Sequence, residues 1–141
     1  MINPKSSFPV FVVANPAKAV EFYKELGFVE VFNSGWYAHL ATDSGVQVGF
    51  LEPNHPTQPD FLHSPFSGVG SLLSLEVENA EESYSEAKRL NLEIALELKT
   101  EEWGQRHFIL RDPHGLLVDI LEATEPSEEY SKDYVATDTN Q

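Results

Sequence analysis

The sequence contains no cysteine, little positive charge and no long apolar run. The absence of cysteine excludes disulfides, zinc–thiolate sites and thiol nucleophiles, and it is typical of a reducing compartment. Nine lysines and arginines stand against 23 acidic residues, and this net charge of −14 makes nucleic acid and anionic membranes poor partners. The apolar segment 8–14 is too short for a signal sequence or a membrane span, so we expect a soluble, cytoplasmic protein.

What the sequence does contain is an internal repeat. Residues 45–52, Gly-Val-Gln-Val-Gly-Phe-Leu-Glu, correspond to residues 115–122, Gly-Leu-Leu-Val-Asp-Ile-Leu-Glu, at an offset of 70. Segments 13–26 and 77–90 correspond at an offset of 64, so the second half contains a six-residue insertion, which we place near residues 99–102. A repeat of this kind indicates two copies of one supersecondary unit.

Each copy is predicted to contain one strand, one helix and three further strands. In the first copy the apolar run 8–13 is predicted to be a strand buried on both faces. Asn15 is a suitable N-cap for the following helix, Pro16 suits its first turn, and Gly27 ends it. Asn79 caps the second helix in the same way. The predicted fold class is α+β, with two tandem βαβββ modules that contain mixed sheets.

The predicted organisation is one domain, residues 1–123, followed by an acidic tail, residues 124–141. Module one covers residues 8–53 and module two covers residues 71–123. Between them, residues 54–70 are rich in proline and have little periodicity, which indicates a linker. The tail has few apolar residues and is expected to be solvated and partly disordered.

Two segments carry a resemblance to a known family. Residues 103–115, Trp-Gly-Gln-Arg-His-Phe-Ile-Leu-Arg-Asp-Pro-His-Gly, are similar to the Trp-Gly-x-Arg-x-Phe-x-x-x-Asp-Pro-x-Gly signature of bleomycin-resistance-like proteins. Residues 21–28, Glu-Phe-Tyr-Lys-Glu-Leu-Gly-Phe, are also typical of the family. Together with the duplicated module, they make residues 8–123 resemble the vicinal oxygen chelate superfamily of glyoxalases, ring-cleaving dioxygenases and bleomycin-resistance proteins. The resemblance implies a ligand cavity and a homodimer.

The resemblance also implies where a metal would bind. Metal-dependent members have His, Glu or Asp on the first and fourth strands of each module, and these positions correspond here to Phe8, Gly49, Leu72 and Asp119. Three of the four have no ligating side chain, and one carboxylate does not hold a divalent ion. We therefore expect no metal and no cofactor. With no side chain, Gly49 is expected to leave room in its half of the pocket.

Two histidines and one buried carboxylate are the polar candidates. Strand alternation places His39 and His107 on the cavity face, at positions that look comparable in the two modules. They are interpreted as hydrogen-bonded structural residues, as a pair lining the pocket, or, with Asp119, as a metal site. Asp119 lies within an apolar strand, so it is expected either to pair with Arg106 or Arg111 or to contact a ligand.

The leading functional interpretation is a metal-independent small-molecule binding protein. Trp103 is predicted either to pack at the strand entrance or to stack on a planar ligand. A mostly apolar pocket with a few convergent polar groups is consistent with this candidate ligand-binding set: Phe8, His39, Gln47, Gly49, Leu72, Trp103, His107 and Asp119.

The resemblance implies sequestration of an aromatic or cationic compound, such as an antibiotic, by a homodimer, without catalysis. One alternative is a metal-dependent lyase, isomerase or dioxygenase of the same superfamily that uses Asp119 with His39 or His107. Another is a dimerising module whose cavity is filled.

Overall fold

The computed structural model describes residues 1–135, and the last six positions of the predicted tail lie outside the described residues. The chain divides into two compact units. Unit 1 comprises Met1–Val69 and the turn Asp112–Gly115, and unit 2 comprises Gly70–Arg111 and the chain from Leu116 onwards. Within residues 1–135, no helix combines the length and the apolar character that crossing a bilayer requires.

Unit 1 is a four-stranded mixed sheet with one helix on it. Its strands run in the order β1-β4-β3-β2, with β1 parallel to β4 and the other neighbours antiparallel. The elements are β1 (Val10–Val12), α1 (Pro16–Glu25), β2 (Val29–Asn33), β3 (Tyr37–Ala41) and β4 (Gln47–Leu51), with a short 3-10 turn at Asp60–Leu62.

Unit 2 repeats this topology. Its strands run in the order β5-β8-β7-β6, and β5 is parallel to β8. The elements are β5 (Leu73–Glu76), α2 (Ala80–Arg89), β6 (Ile94–Glu101), β7 (Gln105–Arg111), β8 (Leu117–Ala123) and a short helix α3 (Glu128–Ser131). The prediction of an α+β fold with two βαβββ modules is thus confirmed, and neither sheet closes into a barrel.

Both helices begin as predicted. Asn15 Oδ1 accepts the N–H of Lys18 at 3.3 Å, and Asn79 Oδ1 accepts that of Glu82 at 3.0 Å. Each bond satisfies one of the free N–H groups in a first turn, which is why asparagine is favoured there. At the other end of α1, Gly27 has φ +95°, a conformation that glycine adopts without strain.

The insertion in the second half lengthens one hairpin. Strand β6 has eight residues and β7 has seven, whereas their counterparts β2 and β3 have five each. The extra residues include Lys99 and Glu101, so the predicted position of the insertion is confirmed. The hairpin brings side chains into unit 2 that have no equivalent in unit 1.

The core of each unit lies between the sheet and its helix. In unit 1 the alternate residues Leu40, Val48 and Phe50 are fully buried, and the Phe50 ring lies 5.0 Å from the ring of Tyr23 on α1. In unit 2 Phe108 and Leu110 are buried similarly beneath α2. Each such side chain contributes about 1.5–3 kcal/mol to the free energy of unfolding, so these rows fix which face of each sheet meets its helix.

The prediction that the first strand is buried on both faces is wrong. Phe8 and Val10 are 44% and 43% exposed, and of the three residues in β1 only Val12 is buried. The reason is topological, because β1 lies at the edge of its sheet rather than in the middle. A short apolar run does not distinguish a central strand from an edge strand.

Candidate functional site

The candidate residues lie on the side of each sheet that faces away from its helix, which we call the distal face. Successive residues of a strand alternate between its two faces. Leu40 is buried on the face towards α1, so Tyr37 and His39 point away from α1. By the same rule His107 and Asp119 lie on the distal face of unit 2, opposite Phe108. Each distal face carries its own polar cluster.

In unit 1 the cluster is a hydrogen-bonded chain of three side chains without a carboxylate. His39 Nε2 lies 2.7 Å from Gln47 Oε1, which only accepts, so this ring nitrogen donates. His39 Nδ1 lies 2.7 Å from the Tyr37 hydroxyl oxygen. Burial raises the pKa of Tyr37 above its usual 10.0, which keeps the hydroxyl protonated. The predicted candidates His39 and Gln47 are therefore direct partners.

Aromatic rings surround this chain. The edge of Phe8 meets the His39 ring at 4.6 Å between centroids, and the Phe32 ring lies 6.3 Å from Tyr37. Phe8 is 44% exposed and Phe32 is 55% exposed. The distal face of unit 1 is consequently aromatic and half open.

Gly49 does not leave the room that the sequence predicts. A Cβ built at Gly49 would lie 2.9 Å from Cε1 and Cζ of Tyr37 and closer still to the hydroxyl. The Tyr37 side chain therefore occupies the volume above Gly49, and the expectation of empty space there is wrong. Tyr37 is missed by the sequence reasoning, although it lies at the repeat offset of 70 from His107.

In unit 2 the cluster is charged and buried. His107 Nδ1 lies 2.7 Å from Asp119 Oδ1, and Nε2 lies 2.9 Å from Glu101 Oε2. The exposed fractions of the three side chains are 7% for His107, 6% for Asp119 and 14% for Glu101. A neutral imidazole has one N–H and cannot donate to both carboxylates, so this geometry requires the imidazolium. We call the three residues the acid–imidazole triad.

Contacts within the acid–imidazole triad shift the pKa values of His107 and Glu101. Burial is the largest influence on His107 and acts to lower its pKa, but the hydrogen bonds and charges of Glu101 and Asp119 together outweigh it, and the pKa rises above 6.5. The hydrogen bond from His107 lowers the pKa of Glu101 below 4.5, and Lys99, at 3.4 Å, acts in the same direction. Both shifts favour the charged forms of His107 and Glu101.

The partner of Asp119 is not an arginine. Arg106 lies 3.7 Å from Glu81, and Arg111 pairs with Glu93. Both arginines lie at the surface, where pairing leaves them partly hydrated. The partner of Asp119 is His107, which is buried beside it.

The two histidines are not at equivalent positions. His39 pairs across the ladder with Gly49, and the residue that pairs with Asp119 in the same way is Ile109. His107 is instead the counterpart of Tyr37. In the sequence, His39 and His107 were therefore aligned two residues out of register. Both still lie on the distal face, because side chains alternate with a period of two.

The remaining candidates lie at the rim of unit 2. Leu72, just before β5, is 50% exposed. Trp103 is 41% exposed, and its ring meets the edge of His107 at 6.3 Å and of Tyr130 at 6.4 Å. The sequence reasoning missed Glu101 and Tyr130. Glu101 lies in the inserted hairpin and Tyr130 in the tail, so the internal repeat offers no counterpart for either.

Comparison with known proteins assigns the family. A sequence profile described as the glyoxalase/bleomycin resistance protein/dioxygenase superfamily matches residues 7–120. The chain belongs to this superfamily. No curated protein matches the chain.

Solved structures support the same fold. A glyoxalase/bleomycin resistance protein/dioxygenase from Nocardioides has a TM-score of 0.72 at 18% identity, covering 89% of this chain and 87% of its own. A virulence protein from Salmonella typhimurium has a TM-score of 0.71 at 21% identity, covering 88% of this chain and 100% of its own. A bleomycin-binding protein in complex with bleomycin has a TM-score of 0.63 at 20% identity, covering 84% of this chain and 98% of its own. At these identities the likeness concerns the fold.

The side chains present do not fit the metal that some superfamily members contain. Phe8, Gly49 and Leu72 have no donor atom, and within residues 1–135 no cluster of three His, Asp or Glu side chains is suited to a metal. In the alternative set of His39, His107 and Asp119, the donor atoms of the histidines are already engaged. Both ring nitrogens of each histidine already have hydrogen-bond partners.

Proposed function

We propose that this chain is a metal-independent small-molecule binding protein, which sequesters an aromatic or cationic compound through the distal faces of its sheets. The observation that carries the proposal is what lies at the positions where metal-dependent members have their ligands. Here side chains pack against one another or form hydrogen bonds with one another. Tyr37 fills the volume above Gly49, and His107 neutralises one charge beside Asp119. What these faces offer a ligand is shape, apolar surface and hydrogen bonds.

The aromatic rings of unit 1 support an aromatic ligand. Phe8 and Phe32 are about half exposed although they are large and apolar. Aromatic pairs contribute about 0.5–1.5 kcal/mol beyond the area they bury, and rings with few rotatable bonds lose little entropy on binding. The chain of Tyr37, His39 and Gln47 adds hydrogen-bonding capacity without a carboxylate that would have to be desolvated.

The charge of the protein supports a cationic group on the ligand. The net charge of −14 attracts cations during encounter. On unit 2, Glu101 and Asp119 give the acid–imidazole triad one negative charge in excess of its imidazolium. The bleomycin-binding protein of similar fold is solved with bleomycin, and an antibiotic is the ligand that this likeness points to.

The acid–imidazole triad is the one observation that favours the second candidate, an enzyme of the superfamily. Histidine is the side chain that most often transfers protons in catalysis. Here, however, both ring nitrogens are already bonded to carboxylates, so transfer to a substrate requires one of these bonds to break. Binding is therefore better supported than a metal-dependent lyase, isomerase or dioxygenase.

Metal analysis is the first experiment. Protein without an affinity tag is incubated with Ni²⁺, Zn²⁺, Mn²⁺ or Fe²⁺, desalted and analysed by mass spectrometry. We expect far less than one metal per chain. Near-stoichiometric metal that Asp119→Asn removes would contradict the proposal and direct attention to glyoxalase and dioxygenase assays.

Ligand screening is the second experiment. Thermal shift with bleomycin and a panel of aromatic cations is expected to raise Tm for some members, and Phe8→Ala is expected to reduce that shift because it removes an exposed ring. Val46→Ala is the matched control, since Val46 is equally exposed at 42% but lies outside β4. Binding unaffected by Phe8→Ala would argue against the unit 1 face. Our proposal also includes a cytoplasmic homodimer, which light scattering and cell fractionation test.

A further inference from the structure

A turn from the second half of the chain completes unit 1. Residues Asp112–Gly115 connect β7 to β8, and they belong to unit 1 together with Met1–Val69. We call these four residues the docked turn. The Asp112 carboxylate accepts hydrogen bonds from the Tyr23 hydroxyl of α1 at 2.7 Å and from the N–H of His114 at 2.8 Å. Tyr23 and Asp112 are both buried, so this end of the docked turn is firmly held.

The other end of the docked turn binds the start of α1 through the ring of His114. The N–H of Asn15, the residue that caps α1, donates to His114 Nε2 at 3.2 Å. A backbone N–H only donates, so Nε2 is the unprotonated nitrogen of the ring. The proton of the neutral ring then lies on Nδ1, which is buried and has no hydrogen-bond partner among residues 1–135. The contact with Asn15 therefore requires a neutral imidazole.

An imidazolium cannot make this contact, because its Nε2–H would face the N–H of Asn15 and two donors do not bond. The charged groups around the ring also oppose protonation on balance. Burial lowers the pKa of His114 below 6.5, Lys18 of α1 acts in the same direction, and Asp112 of the docked turn opposes them. Tyr23 is the other titratable group here, and burial raises its pKa above 10.0, so it stays neutral.

The segment that precedes unit 2 packs closely on the docked turn. At Gly68, whose φ is +79°, a Cβ would lie 2.8 Å from the carbonyl oxygen of Gly115. The close approach thus depends on a glycine at position 68. This point of contact contributes no titratable side chain, so the charges that face His114 are those of Lys18 and Asp112.

We propose that the docked turn is a pH-sensitive clasp, which is closed on α1 while His114 is neutral and is opened when His114 gains a proton. His114 occupies the variable position of the Asp-Pro-x-Gly signature, so the clasp is a property of this chain rather than of its fold. It does not depend on the proposed binding function. Because the folded-state pKa is lowered, the stabilisation by the closed clasp is fully present above pH 6.5 and is lost as the pH falls through the folded-state value.

Hydrogen exchange of the Asn15 amide, followed by NMR from about pH 7.5 to about pH 5, measures the opening of the clasp. Protection of this amide, relative to an unstructured chain at the same pH, is expected to fall by up to about tenfold for each pH unit below pH 6.5. The Val13 amide, which donates to Leu51 in the sheet at 2.9 Å, is the internal reference and should stay protected. Constant protection at Asn15 would overturn the inference. Equal loss at Val13 would also overturn it, because the whole unit would then be unfolding.

Substitutions at His114 show which group takes up the proton. His114→Gln puts an amide oxygen, which accepts but does not titrate, near the place of Nε2 and is expected to make protection at Asn15 independent of pH. His114→Ala is expected to lower this protection at every pH. His55→Gln, at another loop histidine of unit 1, is the matched control and should keep the pH dependence of the natural chain. A pH dependence that persists in His114→Gln contradicts the inference, because another group would then carry the proton.

The ring of His114 gives a further readout without any substitution. Nitrogen chemical shifts identify the protonated ring nitrogen, and at about pH 8 they are expected to show the proton on Nδ1 and none on Nε2. At lower pH the ring should titrate with a midpoint below pH 6.5, and the amide signal of Asn15 should move with the same midpoint. A proton on Nε2 at the higher pH, or different midpoints for the two residues, would rule out the clasp.

Discussion

The two units share one backbone plan and fill the same pair of positions in opposite ways. In unit 1 the pair is Tyr37 and Gly49, where a large ring lies over a residue without a side chain. In unit 2 the equivalent pair is His107 and Asp119, a buried ion pair at 2.7 Å. Duplication preserved the positions, while the chemistry became neutral and aromatic on one face and charged on the other.

The difference depends on residues that lie outside the repeat. His107 needs a second carboxylate to be held as a cation, and that carboxylate, Glu101, comes from the lengthened hairpin. Unit 1 has no such insertion, and its histidine, His39, is bonded to Tyr37 and Gln47 and not to carboxylates. A short insertion beside a duplicated sheet thus supplies the second acidic partner on its distal face.

The largest expected effect comes from breaking the ion pair of unit 2. His107→Leu leaves Asp119 as a buried charge without its partner, and the loss of one member of a buried pair typically lowers the free energy of unfolding by about 3–5 kcal/mol. Urea denaturation followed by circular dichroism measures the change. The double substitution His107→Leu with Asp119→Leu is expected to recover part of it. A loss below about 1 kcal/mol would contradict our description of a buried, mutually dependent pair.

The next effect comes from giving unit 1 the pair of unit 2. Gly49→Asp alone forces the new side chain into the Tyr37 ring, and overpacking of this kind costs about 1–3 kcal/mol. Tyr37→His in the same chain removes the ring and supplies a partner, so the double variant is expected to be more stable than Gly49→Asp. Gly49→Ala serves as the control for steric overlap without charge. A double variant no more stable than the single one would show that the two positions are not equivalent.

A smaller effect is the pH dependence of the acid–imidazole triad. The pKa of His107 is raised, so its stabilising contribution is fully present below pH 6.5 and is lost as the pH rises through the folded-state value. The pKa of Glu101 is lowered, so its contribution is present above pH 4.5 and is lost as the pH falls through the folded-state value. The stability advantage of the natural chain over His107→Gln should therefore be greatest between pH 4.5 and pH 6.5.

Urea denaturation across this range, and up to about pH 9, tests the dependence. Tyr37→Phe is the control from the other unit, because the pKa of Tyr37 lies above 10.0 and its hydroxyl does not titrate here. An advantage over His107→Gln that stays constant across the range would mean that His107 does not exchange a proton on unfolding.

The smallest effect is expected from the hydrogen bonds among Tyr37, His39 and Gln47 in unit 1. Tyr37→Phe removes one hydrogen bond to His39 and keeps the ring over Gly49, so the free energy of unfolding should fall by about 0.5–1.5 kcal/mol. The same denaturation experiment measures it. A loss as large as that of His107→Leu would remove the contrast between the two units.

Local features were predictable because their physics is local. Asn15 and Asn79 are followed by helices that need a cap, and a single residue supplies it in each case. The bounds of β7 are also set locally, since a glycine precedes residues 105–111 and an Asp-Pro turn follows them. The internal repeat then determined the order of the elements in both units.

The partners of the polar residues were not predictable in the same way. A pair with Arg106 or Arg111 was one of the alternatives for Asp119, but which side chain is nearest depends on strand register. Register also decided that Tyr37, not His39, is the counterpart of His107. The apolar run 8–13 was expected to be buried on both faces, and only the order of strands showed that β1 lies at an edge.

The two βαβββ modules and the caps of their helices follow from residue type and spacing, and the resemblance to the superfamily adds that Phe8, Gly49 and Leu72 have no donor where metal-dependent members have one. Three sets of contacts are visible only in the folded chain: Tyr37 lies over Gly49, Glu101 and Asp119 both bond to His107, and the tail reaches Trp103. Such a contact depends on two positions that are separated in the chain, and its energy depends on how much water the fold removes from between them.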